Sequence, residues 1–214
     1  MTNGDREHRR GPAVPPPQHN FEDAAARALE GVRRQSAAQL EWLGASGGDA
    51  AWTVPVLEAT LEVDLHGGTV CRAGGEPVGP WWRILTLHYL AVTGRPDALP
   101  AAVSFAELPA ARAYAPVYHQ RVIGRLCGTA GRRRESLVRG AAAVAGRPAS
   151  LGDLSWDFQV YPRVGLRLIW HAGDEEFGPS ATLLLPRNIE SFFPVEDIVV
   201  LSEGLVRRLA GRNL

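Results

Sequence analysis

Apolar and polar positions follow two rhythms along this chain, and the places where one gives way to the other mark its elements. From Phe21 to about Leu43, the residues Ala25, Leu29, Val32, Ala37, Leu40 and Leu43 recur at roughly helical spacing. A helix is expected there, with Asn20 as its cap and Gly44 to Gly48 as its end. The rhythm then shortens to two. In "VPVLEATLEVDLHGGTVCR", Leu57, Ala59, Leu61, Val63 and Leu65 fall on one face, and Glu58, Thr60, Glu62 and Asp64 on the other. That alternation predicts a half-buried strand. "HGG" reads as a turn, and a short return strand through Val70 and Cys71 completes a hairpin.

The helical rhythm returns in "GPWWRILTLHYLAVTGRP", with Pro80 suited to a first turn and Gly94 and Pro96 to the end. Trp81, Ile84, Leu85, His88 and Val92 share one face, and Trp82, Leu87, Leu90 and Ala91 cover much of the rest. A helix apolar on nearly all sides is expected to be central and buried. A short extended piece near Val103, a turn at "ELP" and a helix around Val117–Cys127 follow. The run "GRRRESLVRGAAAVAG" predicts a more polar helix starting near Glu135, because Arg132–Arg134 oppose the dipole at a helix start.

The last third is strand-rich. "WDFQVYPRVGLRLIWHAG" gives two strands broken near Pro162–Gly165, the second placing Leu166, Leu168 and Trp170 opposite Arg167, Ile169 and His171. "ATLLLP" is a short apolar strand, and "PVEDIVVLSEGLVRRLAGR" closes as a helix whose acidic start and basic end suit its dipole. Helices and mainly antiparallel strands are segregated, which predicts an α+β fold. Residues 1–19, polar and ending in a proline run, are expected to be a disordered tail. Residues 20–214 are read as a single α+β domain, with a mainly antiparallel sheet, a buried central helix and further helices packed on it.

Composition narrows the chemistry. All 23 basic residues are arginine, so a lysine Schiff base to pyridoxal phosphate and a Walker-A lysine are both excluded. Cys71 and Cys127 are too few to hold an iron–sulfur cluster by four cysteines. A net charge of zero gives no support for a broad nucleic-acid surface. No apolar run approaches membrane-spanning length, and no signal-peptide core opens the chain, which predicts a cytoplasmic protein without a membrane anchor. The sequence leaves the oligomeric state open.

Five stretches follow one another in a recognisable order: "LHYL" (Leu87–Leu90), "VSFAELPAARAY" (Val103–Tyr114), Arg121, "YPRVGLRLIWHAGDEEFGPSATLLLP" (Tyr161–Pro186) and "FFPVEDIVVL" (Phe192–Leu201). Together they resemble a prokaryotic domain-of-unknown-function family with His-Tyr-Leu, Phe-x-Glu-Leu-Pro and Trp…Asp-Glu-Phe motifs. The resemblance spans roughly Trp52 to Leu209. It implies an association, in some family members, with corrinoid and iron–sulfur proteins.

Two features invite acid/base chemistry. Asp174, Glu175 and Glu176 cluster between two apolar strands, where shared burial would raise the pKa of one carboxyl. The bland alternative is a solvated turn anchored by Phe177. His88 shares a face with apolar residues, so its imidazole needs a hydrogen-bond partner, Glu107 being one candidate, or else a ligand or a proton to move. Arg121, Arg112 and Arg163 are candidates to hold an anionic substrate, and Tyr114 stands with them as a substrate contact. His119 has the bland reading of a partly exposed helix residue. His171 is expected to face solvent.

Three functions follow from these residues. One is a small-molecule enzyme using general acid/base catalysis in a pocket built from His88, Glu107, Arg121 and the Asp174–Glu176 turn. Another is a haem- or corrinoid-binding protein with His88 or His119 as axial ligand. The third is a non-catalytic interaction module. A divalent metal on the acidic turn also stays open, with Glu107 and Asp197 as further oxygen donors if the fold brings them near.

Overall fold

The computed structural model describes residues 21–214, so the expected tail and the Asn20 cap lie outside the described residues. The predicted first helix is two. Helix α1 (Phe21–Arg33) ends, and α2 (Ala37–Trp42) begins behind Ser36, whose Oγ accepts from the Gln39 amide at 3.2 Å. Helical spacing runs through this break because the cap costs only a few residues. The Gln35 amide bonds the carbonyls of Leu90 and Val92 and ties the break to a later helix.

The first sheet has the order β1-β2-β3-β4, all antiparallel: β1 (Ser46–Gly47), β2 (Ala51–Val56), β3 (Ala59–Asp64) and β4 (Val70–Arg72). The alternating stretch expected as one strand from Leu57 is in fact cut by a two-residue hairpin turn at Leu57–Glu58, with Val56 paired to Ala59. Leu57 takes φ 53°, a conformation that costs a γ-branched residue free energy and that sequence signals assign to Gly or Asn. The Glu58 carboxylate is gripped by Arg208 and stands 3.9 Å from Arg72, and the Leu57 amide donates to the carbonyl of Val160. Tertiary contacts thus hold a turn for which the local residues are poorly suited. The expected return strand at Val70–Cys71 is present as β4.

Helix α3 (Pro80–Leu90) follows, starting with Pro in its first turn as expected. It buries Trp82, Ile84, Leu85, Thr86, Leu87, Tyr89 and Leu90, whereas Trp81 and His88 stand at the edge of the buried stripe. Next come β5 (Ala101–Ser104), two short 3₁₀ turns, and one continuous helical stretch from Ala115 to Gly128. Its ends, α4 (Ala115–Tyr118) and α5 (Arg125–Gly128), are α-helical, but His119–Gly124 winds as a π-helix. Such π segments reset the direction of side chains and often accompany functional sites. Helix α6 (Arg134–Ala143) begins one residue before the expected Glu135.

The second sheet has the order β5-β9-β8-β7-β6, also antiparallel, with β6 (Arg147–Ala149), β7 (Leu154–Tyr161), β8 (Val164–His171) and β9 (Ser180–Pro186). In β8, Val164, Leu166, Leu168 and Trp170 are buried and His171 is exposed, as the alternation predicts. Each such leucine contributes about 1.5–3 kcal/mol by leaving water. On the other face Arg167 lies opposite Asp157 and makes a two-point pair with it at 2.6 and 2.9 Å.

Helix α7 (Val195–Leu209) closes the described chain and is more deeply buried than its polar ends suggest: eleven of its fifteen residues, Asp197, Ser202 and Glu203 among them, are buried. It packs against α3, α6 and the π segment. A Cβ at Gly140 would lie 2.1 Å from the Leu209 carbonyl oxygen, so glycine is needed for α6 to approach α7. The fold is α+β. No helix among the described residues is long and apolar enough to cross a membrane.

Candidate functional site

Helix α7 turns two acidic side chains, Asp197 and Glu203, and one hydroxyl towards the interior, and each finds a partner. A buried carboxylate without one would cost several kcal/mol. Asp197 sits in the first turn, 5% exposed at its side chain, and its Oδ2 lies 2.5 Å from Nδ1 of His88 on α3. Glu203 receives two bonds from Arg121, Nε to Oε1 at 3.0 Å and Nη2 to Oε2 at 2.9 Å. Glu196 stands 3.6 Å from Nη1 of the same guanidinium. Tyr118 donates to the Ser202 hydroxyl, which donates to the Ile198 carbonyl one turn back.

His88 borders open space. Its side chain is 27% exposed, and it lines a surface cavity of about 370 Å³ with Val92, Gly94, Ser191 and Phe192. The carboxylate accepts the proton of Nδ1, and Nε2 has no hydrogen-bond partner among the described residues. A buried carboxylate on one ring nitrogen fixes the tautomer and leaves the other nitrogen as the acceptor. Behind the pair lies a buried aromatic floor: Tyr89 stacks on Tyr161 at 4.5 Å, and the Tyr161 hydroxyl meets Thr86 Oγ1 at 3.1 Å. Burial holds the Tyr161 phenol protonated well above its ordinary range; the bond to Thr86 offsets part of this and the Asp197 carboxylate adds to it.

Arg121 is placed by the π segment, between Val122 and Ile123 buried on one side and α7 on the other. The Glu203 carboxylate raises its already high pKa, and Nη1 also donates to the Tyr114 hydroxyl at 3.2 Å. Its guanidinium is therefore engaged by protein groups on three sides. Arg163 spreads over the Trp42 ring at 3.7 Å and bonds the Trp42 carbonyl. Arg112 is exposed and makes no side-chain bond among the described residues.

Other expected members of the pocket make their bonds elsewhere. Glu107 is exposed and closes a capping box on Ser104, accepting from its amide and hydroxyl at 2.7 Å each. Those bonds hold its carboxyl below the usual range, and they make it a local cap with no bond to His88. The acidic turn joins β8 to β9. Asp174 Oδ1 accepts the amides of Phe177 and Glu176 at 2.7 and 2.9 Å, which lowers its pKa. Glu175 and Glu176 are exposed, and Phe177, 70% exposed, anchors nothing. No hydrogen bond or ion pair joins Glu107 or this turn to His88 or Arg121 among the described residues. His119 is exposed at the start of the π segment, and His171 is exposed 4.0 Å from Asp153. Among the described residues no three His, Cys, Asp or Glu side chains gather as a metal site.

Asp197 and Glu203 are thus the partners that reading the sequence for a site did not assign to His88 and Arg121. The available signal was the burial pattern of α7: carboxylates at positions that would otherwise be apolar imply a paired charge. The family model described as Domain of unknown function (DUF3786) matches residues 34–208, beginning earlier than the Trp52 at which the resemblance in sequence starts. None of the curated proteins and none of the solved structures compared with the chain matches it.

Proposed function

The chain belongs to this family of unknown function, and we propose that it is an enzyme acting on a small polar molecule by general acid/base catalysis, with His88 as the group that moves the proton. The observation that carries this reading is the 2.5 Å contact between His88 Nδ1 and the buried Asp197 carboxylate, beside an open cavity. In the resting state Nδ1–H donates to Asp197, and the lone pair of Nε2 takes a proton from the substrate. The imidazolium so formed is stabilised by Asp197 until the proton is returned. Positioned acid/base groups of this kind contribute about 10²–10⁴ in rate.

Volume supports a small ligand. About 370 Å³ lies at the lower end of the ~300–1000 Å³ occupied by drug-sized ligands, and a tetrapyrrole ring is larger than these. The residues around His88 therefore fit a small molecule better than haem or a corrinoid. Arg121, held by Glu203, Glu196 and Tyr114, serves as a brace between the π segment and α7. Cys71 and Cys127, both unpaired, suit the cytoplasm, where we place the protein.

Turnover of a panel of small hydroxy, keto and amino acids and their esters, compared between the wild type and His88→Gln, tests the proposal. The expected result is an activity that falls at least about 10²-fold in the variant while circular dichroism is unchanged. Equal activity in both proteins would remove His88 from the reaction. No activity in either, together with a partner protein whose binding is lost in an α7 surface variant, would favour an interaction module.

A further inference from the structure

The cavity of about 370 Å³ beside His88 has a hydroxyl on its wall. Ser191 ends a 3₁₀ turn (Ile189–Ser191), is exposed, and lines that space together with His88. Its Oγ has no hydrogen-bond partner among the described residues, and neither has Nε2 of His88. A hydroxyl and a proton acceptor, both free, thus border one space, with the Asp197 carboxylate 2.5 Å behind the acceptor. A serine hydroxyl is a weak nucleophile until an adjacent base takes its proton. Hydroxyl, imidazole and buried carboxylate in that order supply such activation on unrelated folds, where roles rather than sequence positions define the set. Contacts between nucleophile and base are often long in a free enzyme and close only around the substrate.

The backbone around Ser191 is firmly held. The amides of Ser191, Phe192 and Phe193 bond back to the carbonyls of Asn188 and Ile189 at 2.9, 2.9 and 3.0 Å. Phe192 and Phe193 are buried, and their rings lie 6.3 and 6.2 Å from that of Tyr89, the neighbour of His88 on α3. One packing cluster therefore fixes the serine and the imidazole relative to each other. Thr93, the other hydroxyl on the wall, lies in an exposed loop, and its methyl branch crowds the oxygen. Among the described lining residues His88 is the one ionisable side chain, and the Val92 and Gly94 carbonyls are bound by Gln39. A charged substrate would find no opposite charge on this wall, so a neutral one with a short apolar group fits best. Helix α7 starts at this end without a side-chain cap, with Pro194 on the wall. Its first amides are left as donors for negative charge forming on a carbonyl oxygen.

We propose that Ser191 is the nucleophile of a Ser191–His88–Asp197 triad that hydrolyses small uncharged carboxylic esters. This rests on the acid/base reading of His88 and makes the first proton it takes that of Ser191. Ser191 Oγ attacks the ester carbonyl carbon while Nε2 takes the Oγ proton. The bond from that carbon to the alcohol oxygen breaks, and Nε2 gives its proton to the departing oxygen. A free alcohol and an acyl-serine result. Water then attacks the acyl carbon and passes a proton to Nε2. The bond to Oγ breaks, Oγ takes that proton back, and a carboxylic acid leaves. The sum is ester plus water to acid plus alcohol, with Asp197 stabilising the imidazolium in both halves.

Incubating the full-length protein with a small uncharged alkyl fluorophosphonate, followed by peptide mass spectrometry, reads the nucleophile directly. In that reaction a bond forms from Oγ to phosphorus, the phosphorus–fluorine bond breaks, and fluoride leaves as the proton passes to His88. A single adduct on Ser191 is expected, absent from Ser191→Ala and formed at least about 10²-fold more slowly in His88→Gln. Turnover of p-nitrophenyl acetate is measured in the same proteins, with circular dichroism to check each fold, and is expected to fall at least about 10²-fold in Ser191→Ala. No adduct on Ser191, an adduct on Thr93 in its place, or equal labelling rates in the wild type and His88→Gln would overturn the triad. Absence of turnover in the wild type would overturn the assignment of esters. Turnover lost in His88→Gln but intact in Ser191→Ala would overturn the serine alone and leave the acid/base reading standing. Turnover intact in both variants would overturn both.

Discussion

Nδ1 of His88 and Oδ2 of Asp197 meet at 2.5 Å although 109 residues separate them in sequence. The contact joins α3 to the first turn of α7, so it serves both the packing of two helices and the state of one imidazole. Replacing Asp197 by Ala removes the acceptor and leaves a half-buried ring nitrogen unpaired. The variant is expected to lose about 1–3 kcal/mol of stability, read from urea unfolding. Asp197→Asn, which keeps the shape, is expected to lose less stability but most of any His88-dependent activity.

Arg121 and Glu203 form the second inter-element pair. Arg121→Gln leaves the Glu203 carboxylate, 11% exposed, without its two donors. A stability loss of about 1–3 kcal/mol is expected, discounted from the buried-pair range because the guanidinium itself is part-exposed. The double change Arg121→Gln with Glu203→Gln is expected to recover part of it. Recovery of nothing in the double variant would mean that the two residues act separately.

The pH dependence at the acid end follows from Asp157, Asp64, Glu107 and Asp174. Bonds from Arg167 hold Asp157 below its ordinary value, and backbone amides do the same for Asp64 and Asp174, while the Ser104 amide and hydroxyl do so for Glu107. Since the folded values lie below the unfolded ones, the unfolded chain takes up protons first as pH falls. Stability is complete above the ordinary values of 3.8 for Asp and 4.5 for Glu and declines as pH falls through the folded values. Denaturant midpoints measured against pH are expected to drop below about pH 4, with a shallower drop in Asp157→Asn.

At the alkaline end the tyrosines decide. Burial raises the folded values of Tyr89, Tyr118 and Tyr161 above the ordinary 10.0. Their contribution is complete below that value and is lost as pH rises from it towards the folded values. Phenolate absorbance from three of the four tyrosines is therefore expected to appear together with unfolding, as followed by circular dichroism in the same samples. Reversible ionisation of all four in the folded protein would contradict their burial.

Legibility of the fold from sequence divides along physical lines. Strand β8 announces itself by clean alternation, β9 by an apolar run, and helix α7 by charges placed to suit a dipole. The Leu57–Glu58 turn does not, because a distant arginine rather than a local Gly or Asn holds it. The α1–α2 break is hidden because Ser36 interrupts the backbone without disturbing the apolar spacing. The site is legible only by halves. His88 and Arg121 stand out as polar groups among apolar neighbours, but their carboxylates lie on α7, and nothing in short-range spacing couples them. Glu107 and Asp174 drew notice as acids near apolar strands, and both are spent on backbone amides next to them in the chain.

That local role makes them a useful control. Glu107→Gln and the joint change Glu175→Gln with Glu176→Gln are expected to leave any His88-dependent activity within about twofold of the wild type, since neither site bonds to His88 among the described residues. Surface changes of this kind usually move stability by no more than about 0.5 kcal/mol. A loss of activity approaching that of His88→Gln would return these carboxylates to the site.

The most direct measurement is nitrogen-edited NMR of the histidine side chains in the wild type and in Asp197→Asn near neutral pH. The pairing predicts that His88 carries its proton on Nδ1, strongly deshielded by the Asp197 carboxylate, with Nε2 unprotonated, and that the deshielded proton disappears in the variant. A His88 ring protonated on Nε2 alone, or a spectrum indifferent to Asp197→Asn, would contradict it.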